Sequence, residues 1–235
     1  MNLAVIGKGR MGQLIKETAE ANGDTVVAMA DGLDHQPLED NLENIDVILD
    51  FSHPSALEWL LETAGQAGIP LVLGTTGYTD EQKAAIARAA ENQPVFFSAN
   101  YSLGIAMLSR LVKEAAQNLD WDIEIIEKHH NQKADAPSGT ALALAEAADP
   151  DHEKEWIYGR SGQCGKRGDE IGIHAVRGGT IAGMHDVLFI GPQEILTLSH
   201  EAENRQIFVN GALKAAAFME DKPAGFYNMD SLLEA

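Results

Sequence analysis

Cysteine is almost missing from this chain. Cys164 is the single one among 235 residues, which excludes an internal disulfide and a Cys-rich zinc site. Basic residues are scarce too: 17 Lys and Arg stand against 36 Asp and Glu, a formal net charge of −19. Nucleic acid and anionic membrane surfaces both require a basic face, so neither is an expected partner. No apolar run approaches the roughly 20 residues of a membrane helix. Met1-Asn2-Leu3-Ala4-Val5-Ile6 enters a strand pattern at once, without the features of a secretory signal, and a reducing cytoplasm is the expected location. The acid excess by itself reads as solubility. In so acidic a chain, a local gathering of positive charge needs a reason.

Apolar residues make up 45% of the sequence, ordinary for a globular protein, and the length suffices for two small domains with buried cores. The first half alternates short apolar runs with longer helical patterns. Residues 3–6 predict a strand, Arg10–Ala21 a helix and Thr25–Ala30 a strand. Residues 45–51, 70–74 and 94–98 predict three more strands, separated by helices over 54–67 and 80–91. Continuous apolar strands alternating with helices imply parallel βαβ units covered on both faces. After residue 100 the texture changes. Leu103–Asn118 and residues 138–148 predict helices, 121–127 an alternating strand, and 150–169 a polar loop. Residues 171–176, 186–190 and 194–199 predict strands with no long helices between them, and 206–220 a last helix. The fold class is therefore α/β: an N-terminal Rossmann-like parallel sheet, then a second α+β domain built on an open mixed sheet.

Gly7-Lys8-Gly9-Arg10-Met11-Gly12 is a GxGxxG directly after a strand and opening a helix. The pattern alone is weak, and a tight turn without a ligand would satisfy it. Inside a βαβ unit it fits a dinucleotide: Gly7 turns the chain, Gly9 admits the pyrophosphate and Gly12 packs helix against strand. The helix N-terminus adds free N–H groups and positive dipole. Asp31, about 20 residues on, is placed for the ribose hydroxyls. No Lys or Arg lies within residues 31–44, so NADH is expected over NADPH, which stays as the alternative. Gly74-Thr75-Thr76-Gly77 and Ser98-Ala99-Asn100-Tyr101 end the fourth and fifth predicted strands, where ligands bind in such sheets. The plain alternative for each is a turn.

The positive cluster is Glu127-Lys128-His129-His130-Asn131-Gln132-Lys133, followed by Ala134-Asp135-Ala136-Pro137-Ser138-Gly139-Thr140-Ala141. Two His and two Lys precede a helix start whose N–H groups can hold a carboxylate. Gly139 lets a ligand approach the backbone, and Thr140 adds a hydroxyl. A dicarboxylate suits this pair of anion-binding devices. A His beside a Lys suits a general acid with charge stabilisation after hydride arrives at an unsaturated carbon. No metal site is expected, because neighbouring residues on a strand face opposite ways and no third ligand has suitable spacing. Arg160, Lys166, Arg167 and Arg177 serve either substrate steering or a solvated loop. His174, His185 and His200 fall on strand patterns with structural or interface roles. Cys164, without a paired base, is expected to be inert.

This long segment resembles the signature of the bacterial 4-hydroxy-tetrahydrodipicolinate reductase (dihydrodipicolinate reductase) family of the diaminopimelate–lysine pathway, roughly E-x-H-H-x-x-K-x-D-x-P-S-G-T-A. Asp50-Phe51-Ser52-His53-Pro54, Asn100-Tyr101-Ser102-Leu103-Gly104, Arg177-Gly178-Gly179 and Gly211-Ala212-Leu213 extend the resemblance over nearly the whole chain. It implies His129 as proton donor and Lys133 as the other catalytic residue. It places His130, Gly139 and Thr140 on the substrate carboxylates. Gly7, Lys8, Gly9, Arg10, Met11, Gly12, Asp31, Gly74, Thr75, Thr76, Ser98, Ala99, Asn100 and Tyr101 would line the cofactor. It further implies a homotetramer joined through the second domains. Residues 1–100 with 202–235 would form the dinucleotide-binding domain, and 101–201 the substrate-binding and oligomerisation domain. Gly32 stands where NADPH-tolerant members carry a basic residue, Thr180 where Asp is common, and Phe218 where Trp is frequent; residues 149–156 are shortened. Two other functions stay open. A different Rossmann amino-acid dehydrogenase would need another substrate segment or a Cys nucleophile. A non-catalytic NAD(H) sensor would need no His–Lys pair.

Overall fold

A computed structural model describes all 235 residues. Two compact units emerge, residues 1–103 with 206–235, and residues 104–205.

The first unit opens with β1 (Asn2–Ile6), α1 (Arg10–Ala21), β2 (Thr25–Ala30), the short α2 (Gln36–Glu39), β3 (Val47–Asp50), α3 (Leu57–Ala67), β4 (Leu71–Leu73), α4 (Asp80–Ala89) and β5 (Pro94–Phe97). The second carries α5 (Leu103–Asn118), β6 (Asp122–His129), α6 (Gly139–Ala148), β7 (Glu155–Tyr158), β8 (Glu170–Arg177), β9 (Gly183–Gly191) and β10 (Glu194–Ala202). The chain then returns to the first unit with α7 (Gln206–Met219), β11 (Gly225–Tyr227) and α8 (Met229–Leu233).

The first sheet is parallel throughout, in the order β11-β5-β4-β3-β1-β2. Strand order reverses between β1 and β3, the switch point where open α/β sheets hold ligands. Val47, Ile48, Leu49, Leu71, Val72 and Leu73 are fully buried, as strands covered on both faces must be. The predicted helix over 54–67 is shorter. Pro54–Ala56 forms a 3-10 turn that His53 Nδ1 caps at the Ser55 N–H (3.2 Å), and α3 starts at Leu57. Gly68, at φ +69°, ends it.

The second sheet is mixed: β10-β9-β6-β8-β7, antiparallel on the β9 side and parallel on the β8 side. Alternation along β6 sends Ile123 and Ile125 into a core with Leu108, Val112, Leu144, Ile171, Ile173 and Phe189. The four residues 155–158, expected as loop, instead form β7, and β11 is a further strand that local pattern does not predict. Both are short edge strands whose hydrogen bonds come from distant partners, β8 and β5.

Candidate active site

In the first unit, Gly7 (φ +112°) leaves β1 and donates its N–H to Ala30 O at 2.9 Å. A Cβ on Gly12 would stand 1.8 Å from Gly7 O, whereas one on Gly9 would meet nothing within 4 Å. Gly12 is thus a packing requirement, and Gly9 leaves open space over the turn. Gly9 caps α1 without a side-chain bond, and the helix's first turn holds no acid. Its free N–H groups and dipole are open to an anion. These residues fit a dinucleotide pyrophosphate.

Asp31 Oδ1 accepts the N–H groups of Leu33 (2.9 Å) and Asp34 (3.0 Å). The first of these bonds leads in holding its pKa below the usual carboxylate value, against the opposing effect of burial and with help from the Asp34 N–H and Lys8. Lys8 Nζ lies 2.7 Å from Asp34 Oδ2 and 3.6 Å from Asp31 Oδ2. No basic residue lies within 31–44 to neighbour Asp31; the fold brings one in from the glycine turn.

At the ends of β3, β4 and β5 the backbone is tied by a buried acid the motif reading left without a role. Asp50 is fully buried. It accepts the Ser52 hydroxyl, the Ser52 N–H (3.2 Å) and the Tyr78 hydroxyl (3.1 Å). Burial raises its pKa, partly offset by these donors and Thr75. Thr75 is itself buried and accepts the Ser52 N–H at 2.8 Å. A Cβ on Gly74 would stand 2.3 Å from the Phe51 ring. Ser98 Oγ donates to Asn100 O (2.8 Å), and Tyr101 is buried with its hydroxyl on Leu73 O (2.8 Å). Thr75 and Tyr101 therefore shape these loops from within. Thr76 and Ala99 are exposed, and Asn100 is half-buried.

In the second unit β6 runs two residues further than expected and carries its buried face past Ile125 to Glu127 and His129. Register sets Glu127 beside His185 of β9 and His129 beside Arg177 of β8. His129 Nδ1 is 2.6 Å from Glu127 Oε2, and Arg177 meets both Glu127 oxygens at 2.7 Å. Burial pushes the Glu127 pKa up. Arg177, then His129 and the Ser138 N–H, outweigh this and hold it below the usual value. Ser138 donates its N–H to Glu127 Oε1 (2.9 Å), and its Oγ caps α6 at the Ala141 N–H (3.2 Å). Gly139 is exposed with nothing within 4 Å of its absent Cβ, and Thr140 is half-buried. His130 follows the strand, its N–H on Ile181 O (2.8 Å). Lys133 Nζ rests 2.8 Å from Asp135 Oδ1. The fold thus gathers His129 and the α6 N-terminus around one carboxylate, with His130 and Lys133 on the connecting loop.

His185, assigned only a structural or interface role from its strand, packs edge-on to His129 with centroids 5.2 Å apart. Its Nε2 lies 3.0 Å from Ser138 Oγ. Burial, then His129, lowers its pKa to about 4. Of the other cations, Arg177 joins this cluster. Arg160 pairs with Glu124 (2.8 Å) and Glu170 (2.5 Å), and Arg167 with Asp122 (2.9 Å). His174 joins the same network through Glu124 (2.7 Å). Alternation puts Glu124 on the opposite face of β6 from His129, so Arg160 and Arg167 belong to a different surface.

A glycine turn at the switch point of a parallel sheet, followed by a mixed-sheet unit in which histidines gather around a buried carboxylate, defines a Rossmann-type oxidoreductase. The dihydrodipicolinate reductase family models match over both parts, the N-terminus at residues 1–101 and the C-terminus at residues 104–233. The chain belongs to the dihydrodipicolinate reductase family and is accordingly a pyridine-nucleotide-dependent reductase. It is 47% identical to the 4-hydroxy-tetrahydrodipicolinate reductase of Clostridium tetani, over 97% of this chain and 94% of that one. The enzyme of the same name from Caldanaerobacter subterraneus subsp. tengcongensis is 45% identical, over 96% and 95%. Among solved structures, a dipicolinate-bound dihydrodipicolinate reductase from Paenisporosarcina sp. TG-14 aligns with a TM-score of 0.81 at 26% identity, covering 97% of each chain.

Proposed function

We propose that this chain reduces 4-hydroxy-tetrahydrodipicolinate (dihydrodipicolinate) to tetrahydrodipicolinate in diaminopimelate and lysine biosynthesis, with NADH preferred and NADPH accepted. The observation that carries the reading is the joining of His129, Glu127 and the α6 N-terminus through shared hydrogen bonds. Residues 7–12 and Asp31 hold the dinucleotide, with Gly74, Thr75, Thr76 and residues 98–101 on its nicotinamide side. The bound nicotinamide supplies hydride to the unsaturated ring. His129 supplies the accompanying proton, Lys133 stabilises the charge that develops, and His130, Gly139 and Thr140 hold the carboxylates.

Asp31 and Gly32 favour the free ribose hydroxyls of NADH, while Lys8 beside Asp31 offers a cation to a 2′-phosphate. No helix is long and apolar enough to cross a membrane, in keeping with a cytoplasmic place. The homotetramer is supported by edge strand β10, whose Ile195 and Leu196 are exposed, and is read by sedimentation. The deciding experiment follows NADH and NADPH oxidation with freshly generated substrate. The expected result is turnover with both, a higher kcat/KM for NADH, and a Lys8→Ala variant that loses NADPH activity more than NADH activity. NADH binding without turnover would leave a sensor, and turnover only with other amino-acid precursors a different dehydrogenase.

A further inference from the structure

Glu127 has no exposed surface, so it meets no ligand, yet four donors converge on its two oxygens. Oε2 faces His129 Nδ1 (2.6 Å) and Arg177 Nη1 (2.7 Å); Oε1 takes Arg177 Nη2 (2.7 Å) and the Ser138 N–H (2.9 Å). Such a set keeps the carboxylate ionised. An ionised carboxylate has no proton to offer, so the imidazole nitrogen facing it must carry one. That leaves Nε2 as the nitrogen free to work. The other side of the ring agrees: a Cβ on Gly183 would stand 3.0 Å from His129 Nε2, so glycine there keeps this nitrogen uncovered. Arg177 also donates to Asp135 O at 2.6 Å, which links the carboxylate to the loop bearing Lys133.

We propose that Glu127 is a positioning residue for proton transfer, fixing the Nδ1–H form of His129 so that protons leave and return only at Nε2. The role rests on the reading of His129 as the proton donor. In the forward direction the Nε2–H bond of the cationic ring breaks as a C–H bond forms on the reduced substrate. The neutral ring keeps its Nδ1–H on Glu127, and solvent returns a proton to Nε2. Glu127 itself stays ionised throughout. Because the same carboxylate holds the Ser138 N–H, the ring and the carboxylate-binding helix start keep one fixed spacing.

The test begins without any substitution, by 15N NMR of the His129 ring in the intact protein. The expected result is a protonated Nδ1 whenever the ring is neutral; a bare Nδ1 with the proton on Nε2 overturns the proposal. In Glu127→Gln the side-chain amide cannot match the donors of both Arg177 and His129. The neutral tautomer is expected to flip and kcat to fall by about 10²-fold, within the range such supporting partners command, with NADH affinity unchanged. Combining Glu127→Gln with His129→Gln is expected to cost no more than His129→Gln alone, as for groups acting as one unit. Glu127→Asp, which keeps the charge, is expected to recover part of the loss, and it decides the matter if the glutamine variant fails to fold. Full kcat in Glu127→Gln alongside a disabled His129→Gln, or multiplying losses in the double variant, sinks the positioning role alone. Wild-type kcat in His129→Gln sinks the underlying reading of that ring as well.

Discussion

Lys133 holds its amine 2.8 Å from Asp135, whose side chain is more than half exposed. An exposed pair of this kind contributes at most about 1 kcal/mol, so an incoming substrate carboxylate can exchange for it at little cost. His129, by contrast, is 8% exposed and tied to an ionised partner. The two side chains therefore differ in how firmly they are held: His129 by a buried partner, Lys133 by an exposed one. Removing either is expected to lower turnover by about 10²-fold or more, the scale of general acid catalysis. In Lys133→Ala the loss should come with a raised KM, and in His129→Gln with KM nearly unchanged. NADH affinity, measured by fluorescence titration, should move in neither variant.

At the scale of elements, the turn from β1 into α1 separates packing from binding within three residues. Gly12 must lack a side chain because the backbone of Gly7 occupies that space, whereas the space over Gly9 is open and, on the proposed function, is where the pyrophosphate sits. Gly12→Ala places Cβ 1.8 Å from a carbonyl oxygen and cannot be relieved by a rotamer change, so several degrees of Tm are expected to be lost, with lower yield of folded protein. Gly9→Ala is expected to leave Tm unchanged and weaken NADH binding by about tenfold or more, a difference of some 1.4 kcal/mol. Equal melting temperatures in the two variants would count against this division. The α6 start is built on the same economy, since Ser138 caps the helix, meets Glu127 and meets His185 with one residue.

For the molecule as a whole, burial at this cluster opens a pH window in which stability changes. Burial, and then His129, disfavour the charge on His185 and lower its pKa from the ordinary 6.5 to about 4 in the fold. Its folded pKa is depressed, so the unfolded chain binds the extra proton first. Stability from this group is full above about pH 6.5 and falls as pH drops toward 4. Glu127 titrates below its usual value when folded, so its contribution is present above the unfolded carboxylate range and lost at still lower pH. Urea unfolding at pH 7 and pH 5 is expected to show a drop in stability that shrinks by on the order of 2 kcal/mol in His185→Gln. The same drop in both proteins would remove His185 as its source.

Periodicity alone carries far in the first unit. α1 and β2 begin and end at the expected residues, because each βα unit satisfies its own pattern locally and a buried parallel strand is a continuous apolar run. The glycine turn and the charged segment at 127–140 are contiguous in the chain, so their chemistry is visible as text. Edge strands β7 and β11 were not, since what makes them strands lies on β8 and β5. Nor was the approach of Lys8 to Asp31, which a turn and a loop create between residues 23 positions apart. The same holds for Glu127: alternation tells which residues share its face, but only the packing of α6, β8 and β9 makes that face buried and supplies the arginine, amide and imidazole that keep a charge there. Local pattern determines elements and motifs because its forces act between near neighbours. Burial and charge pairing belong to the tertiary structure, where residues 50 positions apart share one carboxylate.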